Sequence, residues 1–359
     1  MIRVLQIGLS YEYGGIENFA MNYYRFINKT IIQFDFINPY DKPLAYEEEM
    51  KSLGAHIYKV SDFHRFPFKY WHQLMNIIKK YDIIHVHMLS ASNLIPIIVA
   101  KHCGVNKIIV HSHNTSAEGL IRSILHQLNY KEIKKFSTDL FACSEKAGKW
   151  MFGQNQDFIV IKNAIDINKY RYNPAVRAEI RKQLNIPQNM IVYGNIGRLN
   201  IQKNQMFLIE VFDKIRFIQK NSILCIAGDG ELKNAIKEKV NKLGLSTNVL
   251  LLGLRTDIDK IYNAMDAIIL PSIFEGLPIS LVEAQANGLK CFVSDKCVPR
   301  ESKILKSMEF ISLNDSCSYW AEKITSSNLN RESNAINILT ENRYNITKEV
   351  DRLLELYLK

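Results

Sequence analysis

The sequence predicts an α/β protein of two Rossmann-like domains, each built on a parallel sheet. Three observations carry that prediction. Short β-branched runs alternate with amphipathic helical stretches along nearly all 359 residues, the pattern of repeated strand–helix–strand units. The chain is too long for one ordinary core and suits two domains of about 150–180 residues each. The strand series also begins twice, on either side of a polar segment.

In the first series, apolar runs predict strands over 4–9, 32–37, 57–60, 83–87, 107–111, 140–143 and 158–161. Residues 69–80 carry Tyr70, Leu74, Ile77 and Ile78 at helical spacing. Residues 162–166 and the polar stretch to Pro174 form the linker and hinge. The second series predicts strands over 190–196, 223–227, 249–252, 267–270 and 291–293. Between them, residues 204–219 place Phe207, Leu208, Val211, Phe212 and Ile215 on one stripe, and residues 232–243 form a further helix. The tail after Ser333 reads as helical and charged, able to cross back onto the first domain.

Composition narrows the classes. A hydrophobic fraction of 47% and a charged fraction of 23% are those of a globular protein. No run approaches the roughly 20 apolar residues of a membrane span, and the N-terminus reads as an opening strand rather than a signal peptide. Six cysteines without a Cys-x-x-Cys pair read as reduced thiols of a cytoplasmic protein. The net charge of +10 fits an anionic membrane surface, phosphorylated ligands or an inert basic surface. Zinc spacing, aromatic RNA-binding motifs and dense Arg/Lys runs are not seen, so nucleic acid is not an expected partner. All nine histidines precede residue 127, so the two halves differ chemically.

Residues 274–283 form the strongest constellation: Glu275 and Glu283 lie eight positions apart across a loop-to-helix junction that follows strand 267–270. Gly276 allows close backbone approach, and Pro278 suits a first helical turn. The amides near Ile279 and Ser280 then make an anion site at the C-terminal end of a parallel strand. A diphosphate flanked by two polyols fits this arrangement, although helix capping by Glu275 and a solvated Glu283 would also account for two acids. A second constellation, residues 194–204, places Gly197, Arg198 and Lys203 in one strand-to-helix loop, where two cations can neutralise a diphosphate or, taken alone, simply stand solvated. Residues 226–231, with Gly228, form a glycine-rich turn without the dinucleotide fingerprint. In the first half, Gly14 and Gly15 follow strand one, where a phosphate contact and a plain turn fit equally. His111 and His113 share a strand face, and His113 suits either substrate contact or packing. His85 and His87 read as core or supporting residues, and no carboxylate or cysteine stands at ligand spacing to make them a metal site.

Together these motifs resemble the retaining glycosyltransferases of family 4, which have the GT-B architecture: two Rossmann-like domains with parallel sheets facing a deep cleft. The resemblance covers essentially the whole chain, and its HSHN segment, residues 111–114, and Gly14-Gly15 loop look like the branch that builds bacterial capsule, exopolysaccharide and lipopolysaccharide sugars. It implies residues 1–165 as the acceptor-binding domain, completed by a C-terminal helix over 340–359, and residues 166–339 as the nucleotide-sugar domain. Arg198 and Lys203 would hold the donor diphosphate, Glu283 the ribose and Glu275 the transferred sugar. Backbone amides from Gly276 and Leu277 through Ile279, Ser280 and Leu281 would complete those contacts. The base would lie against residues 253–255, including Arg255, with His113 at the sugar and Gly14 and Gly15 near the phosphates. Ala164 departs from the family's usual Pro-Asn-Gly hinge.

The expected reaction is transfer from a UDP-sugar to a glycan or lipid-linked acceptor with retention of configuration, with protein cations in place of a metal and no cofactor. Residues 63–72 mix aromatic and basic side chains, so they fit either an anionic membrane at the inner face of the cell or packing on the sheet. A nucleotide-sugar epimerase of the same architecture and a catalytically silent sugar-binding protein remain as other classes.

Overall fold

A computed structural model describes residues 1–117 and 119–359. The chain divides into two compact units, Met1–Ala164 with Ile346–Lys359, and Ile165–Asn345. The first holds a seven-stranded, all-parallel sheet: β1 Ile2–Ile7, β2 Ile32–Asn38, β3 Ile57–Lys59, β4 Ile83–Met88, β5 Lys107–Ser112, β6 Asp139–Ala142 and β7 Ile159–Val160. Their order is β3-β2-β1-β4-β5-β6-β7. The second holds β8 Ile191–Ile196, β9 Ser222–Ala227, β10 Val249–Gly253, β11 Ala267–Leu270, β12 Lys290–Ser294 and β13 Glu309–Ile311, ordered β10-β9-β8-β11-β12-β13. In each sheet the chain winds outward one way from its first strand and then reverses. The reversals fall between β1 and β4 and between β8 and β11, and ligands of open α/β sheets bind outside the strand ends at such points.

The central strands are buried along nearly their whole length because helices cover both sheet faces, as parallel sheets require. Helix Pro67–Ile78 turns Tyr70, Leu74, Ile77 and Ile78 inward, the predicted stripe. Helix Gln205–Ile218 buries Leu208, Ile209, Val211, Phe212 and Ile215. Phe207, expected on that stripe, lies instead at its edge, against the buried Trp320 at 5.6 Å between rings. The sequence reading missed β13 and helix Cys317–Thr325, which packs on helix Gln205–Ile218. Three residues are too few for a period-two signal, and the interruption by 312–316 hides the relation between them.

The C-terminal helix Ile346–Leu358 packs with helix Gly15–Phe26 in the first unit. Lys107 Nζ donates to the carbonyl of Leu356 at 2.6 Å, and Arg352 donates to that of Val160 at 3.1 Å. The polypeptide passes between units at Ala164, and Ile165 bridges to Asn345 inside the second unit. The crossover thus uses the segment where Ala164 stands. No helix is long and apolar enough to cross a membrane among the described residues.

Candidate active site

In the second unit, three loops emerge side by side from the C-terminal ends of β8, β9 and β10. Gly197 N–H donates to Ala227 O at 3.0 Å, Leu199 N–H to Asp229 O at 3.0 Å, and Gly228 N–H to Gly253 O at 2.9 Å. The loops touch backbone to backbone. Gly228 has φ of +145°, and a Cβ there would stand 1.9 Å from the carbonyl oxygen of Gly197, so any side chain would force the loops apart. The glycine-rich turn at 226–231 is therefore the wedge that shapes the neighbouring loop.

The loop after β8 is tied across the reversal point to the loop after β11. Gln202 Nε2 donates to Phe274 O at 2.9 Å, Ile273 N–H to Gln202 O at 2.8 Å, and Asn204 Nδ2 to Pro271 O at 3.1 Å. This lacing brings Lys203 and Glu275, 72 positions apart in sequence, into an ion pair of 2.6 Å. The Glu275 side chain is 5% exposed and that of Lys203 15%. The Lys203 stem runs along Gly197, whose Cβ position lies 3.3 Å from the lysine Cε. Arg198 is half-buried in the same loop, and its carbonyl accepts from Gln205 Nε2 at 2.9 Å.

Helix Ile279–Ala286 starts one residue after Pro278. Gly276, Leu277, Ile279 and Leu281 are buried, so a ligand could meet them only through backbone. Leu281 departs from the expected set of ligand amides: its N–H donates to Pro278 O at 3.1 Å, closing the first turn. Ser280 presents its carbonyl to the hydroxyl of Tyr262 at 2.9 Å. Glu283 is not a solvated surface acid. Its two oxygens accept from Tyr170 at 2.7 Å and Tyr262 at 2.9 Å, and burial raises its pKa against those two bonds. The tyrosines aim a carboxylate that retains lone pairs for hydroxyls. Arg255 forms a two-pronged pair with Asp257 at 2.8 and 2.6 Å.

In the first unit, Gly14 and Gly15 open helix Gly15–Phe26 beyond β1. The buried Glu17 closes that loop by accepting from the Ser10 amide at 2.7 Å and hydroxyl at 3.0 Å. His113 follows β5, its Nε2 lying 2.9 Å from His87 Nδ1. His111 lies beside it with ring centres 4.1 Å apart, the shared face predicted from strand alternation. Register explains a cluster the sequence reading missed: β1 pairs Gln6 with His85, and β4 pairs His87 with His111. Two His-x-His runs in neighbouring parallel strands therefore stack their rings. A legible signal existed in that spacing, given strand adjacency.

Metal-binding capacity was also read too narrowly from spacing. Among the described residues, ring nitrogens of His85, His87 and His111 approach within 4.8 Å of one another, a set that neutral imidazoles could offer a transition metal. These rings are already bonded to one another, to Gln6, to His113 and to Tyr357. The expectation of protein cations in place of a metal passed over one Asp-x-Asp triplet in the sequence, residues 257–259. Its acids are answered by cations, Asp257 by Arg255 and Asp259 by Lys169 at 3.7 Å.

Comparison with known proteins decides the family. Residues 176–336 match the family described as glycosyl transferases group 1. Over 333 residues the chain is 32% identical to the putative glycosyltransferase EpsF of Bacillus subtilis, covering 90% of this chain and 86% of that one. The chain is a group 1 glycosyltransferase. This glycosyltransferase is also 31% identical to the Escherichia coli UDP-Gal:alpha-D-GlcNAc-diphosphoundecaprenol alpha-1,3-galactosyltransferase, over 78% of this chain and 76% of that one. Its fold matches Anabaena Alr3699/HepE in complex with UDP and glucose, with a TM-score of 0.82 at 18% identity over the full length of both chains. The same GT-B architecture is found in TarM of Staphylococcus aureus, with a TM-score of 0.74 at 12% identity.

Proposed function

We propose that this glycosyltransferase moves a sugar from a UDP-sugar to a glycan or lipid-linked acceptor in bacterial surface polysaccharide synthesis, with retention of configuration. The observation that carries the reading is the Lys203–Glu275 pair, held at the sheet's reversal point by loops packed through glycine. A nucleotide-sugar donor separates the charges that this pair joins. Its diphosphate takes Lys203 and Arg198, and the hydroxyls of its sugar take Glu275. Glu283, aimed by two tyrosines, accepts from the ribose, and the residues around Arg255 face the base. His113 is proposed to meet the transferred sugar, with Gly14 and Gly15 near the phosphates. Anabaena HepE bound to UDP-glucose, a protein of the same fold, supports the donor class.

Cleavage of the anomeric C–O bond builds positive charge on the sugar and negative charge on the departing diphosphate. In this reading Arg198, Lys203 once released from Glu275, and the amides opening helix Ile279–Ala286 stabilise that negative charge. In the retaining course proposed here, the acceptor attacks from the face the diphosphate leaves, and a phosphate oxygen takes the acceptor proton. Hydrolysis by paired acids is a poorer account, because it has no use for Arg198 and Lys203.

We also propose a peripheral membrane contact. In helix Leu120–Asn129 the polar side docks on the protein: His126 stacks on Trp150 at 4.1 Å and accepts from the Ala91 amide, while Asn129 donates to Ala91 O at 3.0 Å. The opposite side exposes Leu120, Ile121, Ile124, Leu125 and Leu128, the first two at 76%. Arg122, Lys131 and Lys134 lie in or beside this helix, with Lys135 paired to Glu132 at 2.7 Å, and this net basic rim favours an anionic lipid surface. Within 63–72, Tyr70 is buried and Phe63 and Trp71 pack on the core, leaving Arg65, Phe66, Phe68 and Lys69 exposed as a second surface.

The reading is tested by incubating the protein with UDP-sugars and a polyprenyl-diphosphate sugar acceptor. A new disaccharide whose anomeric coupling matches the donor is expected. An inverted product would remove retention, and an isomerised donor formed without acceptor would favour an epimerase.

A further inference from the structure

The four stacked histidines of the first unit lie on a continuous path of hydrogen bonds. His113 Nε2 is 2.9 Å from His87 Nδ1, and His87 Nε2 is 2.9 Å from Gln6 Oε1. Gln6 Nε2 donates to the Tyr357 hydroxyl at 3.3 Å. The Tyr357 oxygen is 2.6 Å from His85 Nδ1, and His85 Nε2 is 3.1 Å from His111 Nδ1. Gln6, His85, His87 and His111 are each at most 4% exposed, and Tyr357 is 3% exposed.

The amide of Gln6 gives the path a direction. Its oxygen can only accept, so His87 carries its proton on Nε2 and offers a lone pair at Nδ1. His113 must then donate from Nε2. On the other side, Tyr357 accepts from Gln6 and spends its single proton on His85 Nδ1. His85 therefore donates from Nε2 to His111 Nδ1. All four imidazoles share one tautomer and each link fixes the next, the path ending at the buried His111 Nε2, which has no partner among the described residues. Reversing the amide would reverse every link at once, so the set has two alternative orders and no mixed one without a broken bond.

We propose that Gln6 and Tyr357 are positioning residues that lock His113 as the Nε2–H tautomer, so that it presents an unprotonated Nδ1 to a hydroxyl of the bound sugar. The role of Nδ1 rests on the proposed placement of His113 at the sugar; the tautomer itself does not. Burial supports the arrangement by keeping the rings neutral: His87 is pushed down to about 3, and His85, His111 and His113 are also driven well below the ordinary imidazole range. A neutral His113 that accepts at Nδ1 discriminates in favour of a donor group and rejects a position where the sugar bears only an acceptor.

The test is long-range 1H–15N correlation NMR of the full chain labelled with 15N-imidazole histidine near neutral pH. The His113 signals are assigned by their loss in His113→Asn. Wild type should show His113 protonated at Nε2 alone. Tyr357→Phe and Gln6→Leu should each broaden His113 into two tautomers, and turnover should fall at least twofold, because an evenly split population halves the competent fraction. A wild-type His113 protonated at Nδ1, or an unchanged His113 spectrum in both Tyr357→Phe and Gln6→Leu, would overturn the lock. Altered tautomers with unaltered turnover would overturn the role of Nδ1. A protein without transferase activity that still shows the predicted spectra would sink the functional reading and leave the lock standing.

Discussion

Lys203 and Glu275 show what a single buried pair can and cannot be asked to do. Each is mostly withdrawn from water, so removing one deprives the other of its opposite charge in the pair, at a cost of about 3–5 kcal/mol. Lys203→Met and Glu275→Gln should each lower the urea midpoint of the second unit. The double variant should recover much of that stability, because no lone charge remains. Turnover should stay at least a hundredfold down in all three, since the diphosphate and the sugar lose their partners in each. Recovery of turnover along with stability in the double variant would mean that the pair only holds loops together. Both residues were legible in the sequence as ligand groups, because a cation and an acid each stood in a loop just beyond a strand. Their pairing was not. It depends on Gln202, Asn204 and Ile273 lacing two loops 70 residues apart, which no local pattern encodes. The tyrosines that aim Glu283 were equally hidden, since Tyr170 and Tyr262 lie 113 and 21 positions from it.

At the scale of elements, most strands and the long helices were readable because parallel strands are buried on both faces and write continuous apolar runs. What escaped was orientation. Helix Leu120–Asn129 has a regular amphipathic pattern, and the ordinary inference would turn Leu120, Ile121, Ile124, Leu125 and Leu128 inward. It faces the other way because His126 and Asn129 anchor its polar side at Ala91. The aromatic and basic run at 63–72 drew attention in the sequence, yet three of its aromatics are spent on packing. Co-sedimentation with vesicles should therefore depend on the first of these elements. Ile121→Ser with Leu128→Ser should abolish binding to phosphatidylcholine vesicles containing phosphatidylglycerol, while UDP binding is retained. Wild type should bind pure phosphatidylcholine more weakly. If the double variant instead splits a dimer and leaves vesicle binding intact, the exposed face serves a second copy of the chain.

Across the molecule, the uneven placement of histidine separates the two units in acid. All nine lie before residue 127, and burial keeps four of them neutral in the folded first unit. Their folded pKa values are depressed, so their contribution is intact above the unfolded value near 6.5 and is lost as pH falls below it. Each such histidine costs about 1.4 kcal/mol per pH unit, continuing for His87 down to about 3. Urea unfolding followed at pH 7 and pH 5 should show the first unit losing stability steeply while the second unit, without histidine, changes little. Parallel loss in both would show that the buried rings do not govern the response. The return of helix Ile346–Leu358 to the first unit has a separate consequence for biosynthesis. Residues 165–345 are contiguous and can fold while the ribosome is still working. The first unit acquires the Tyr357 contacts of Gln6 and His85 only after the residues of the second unit have been translated.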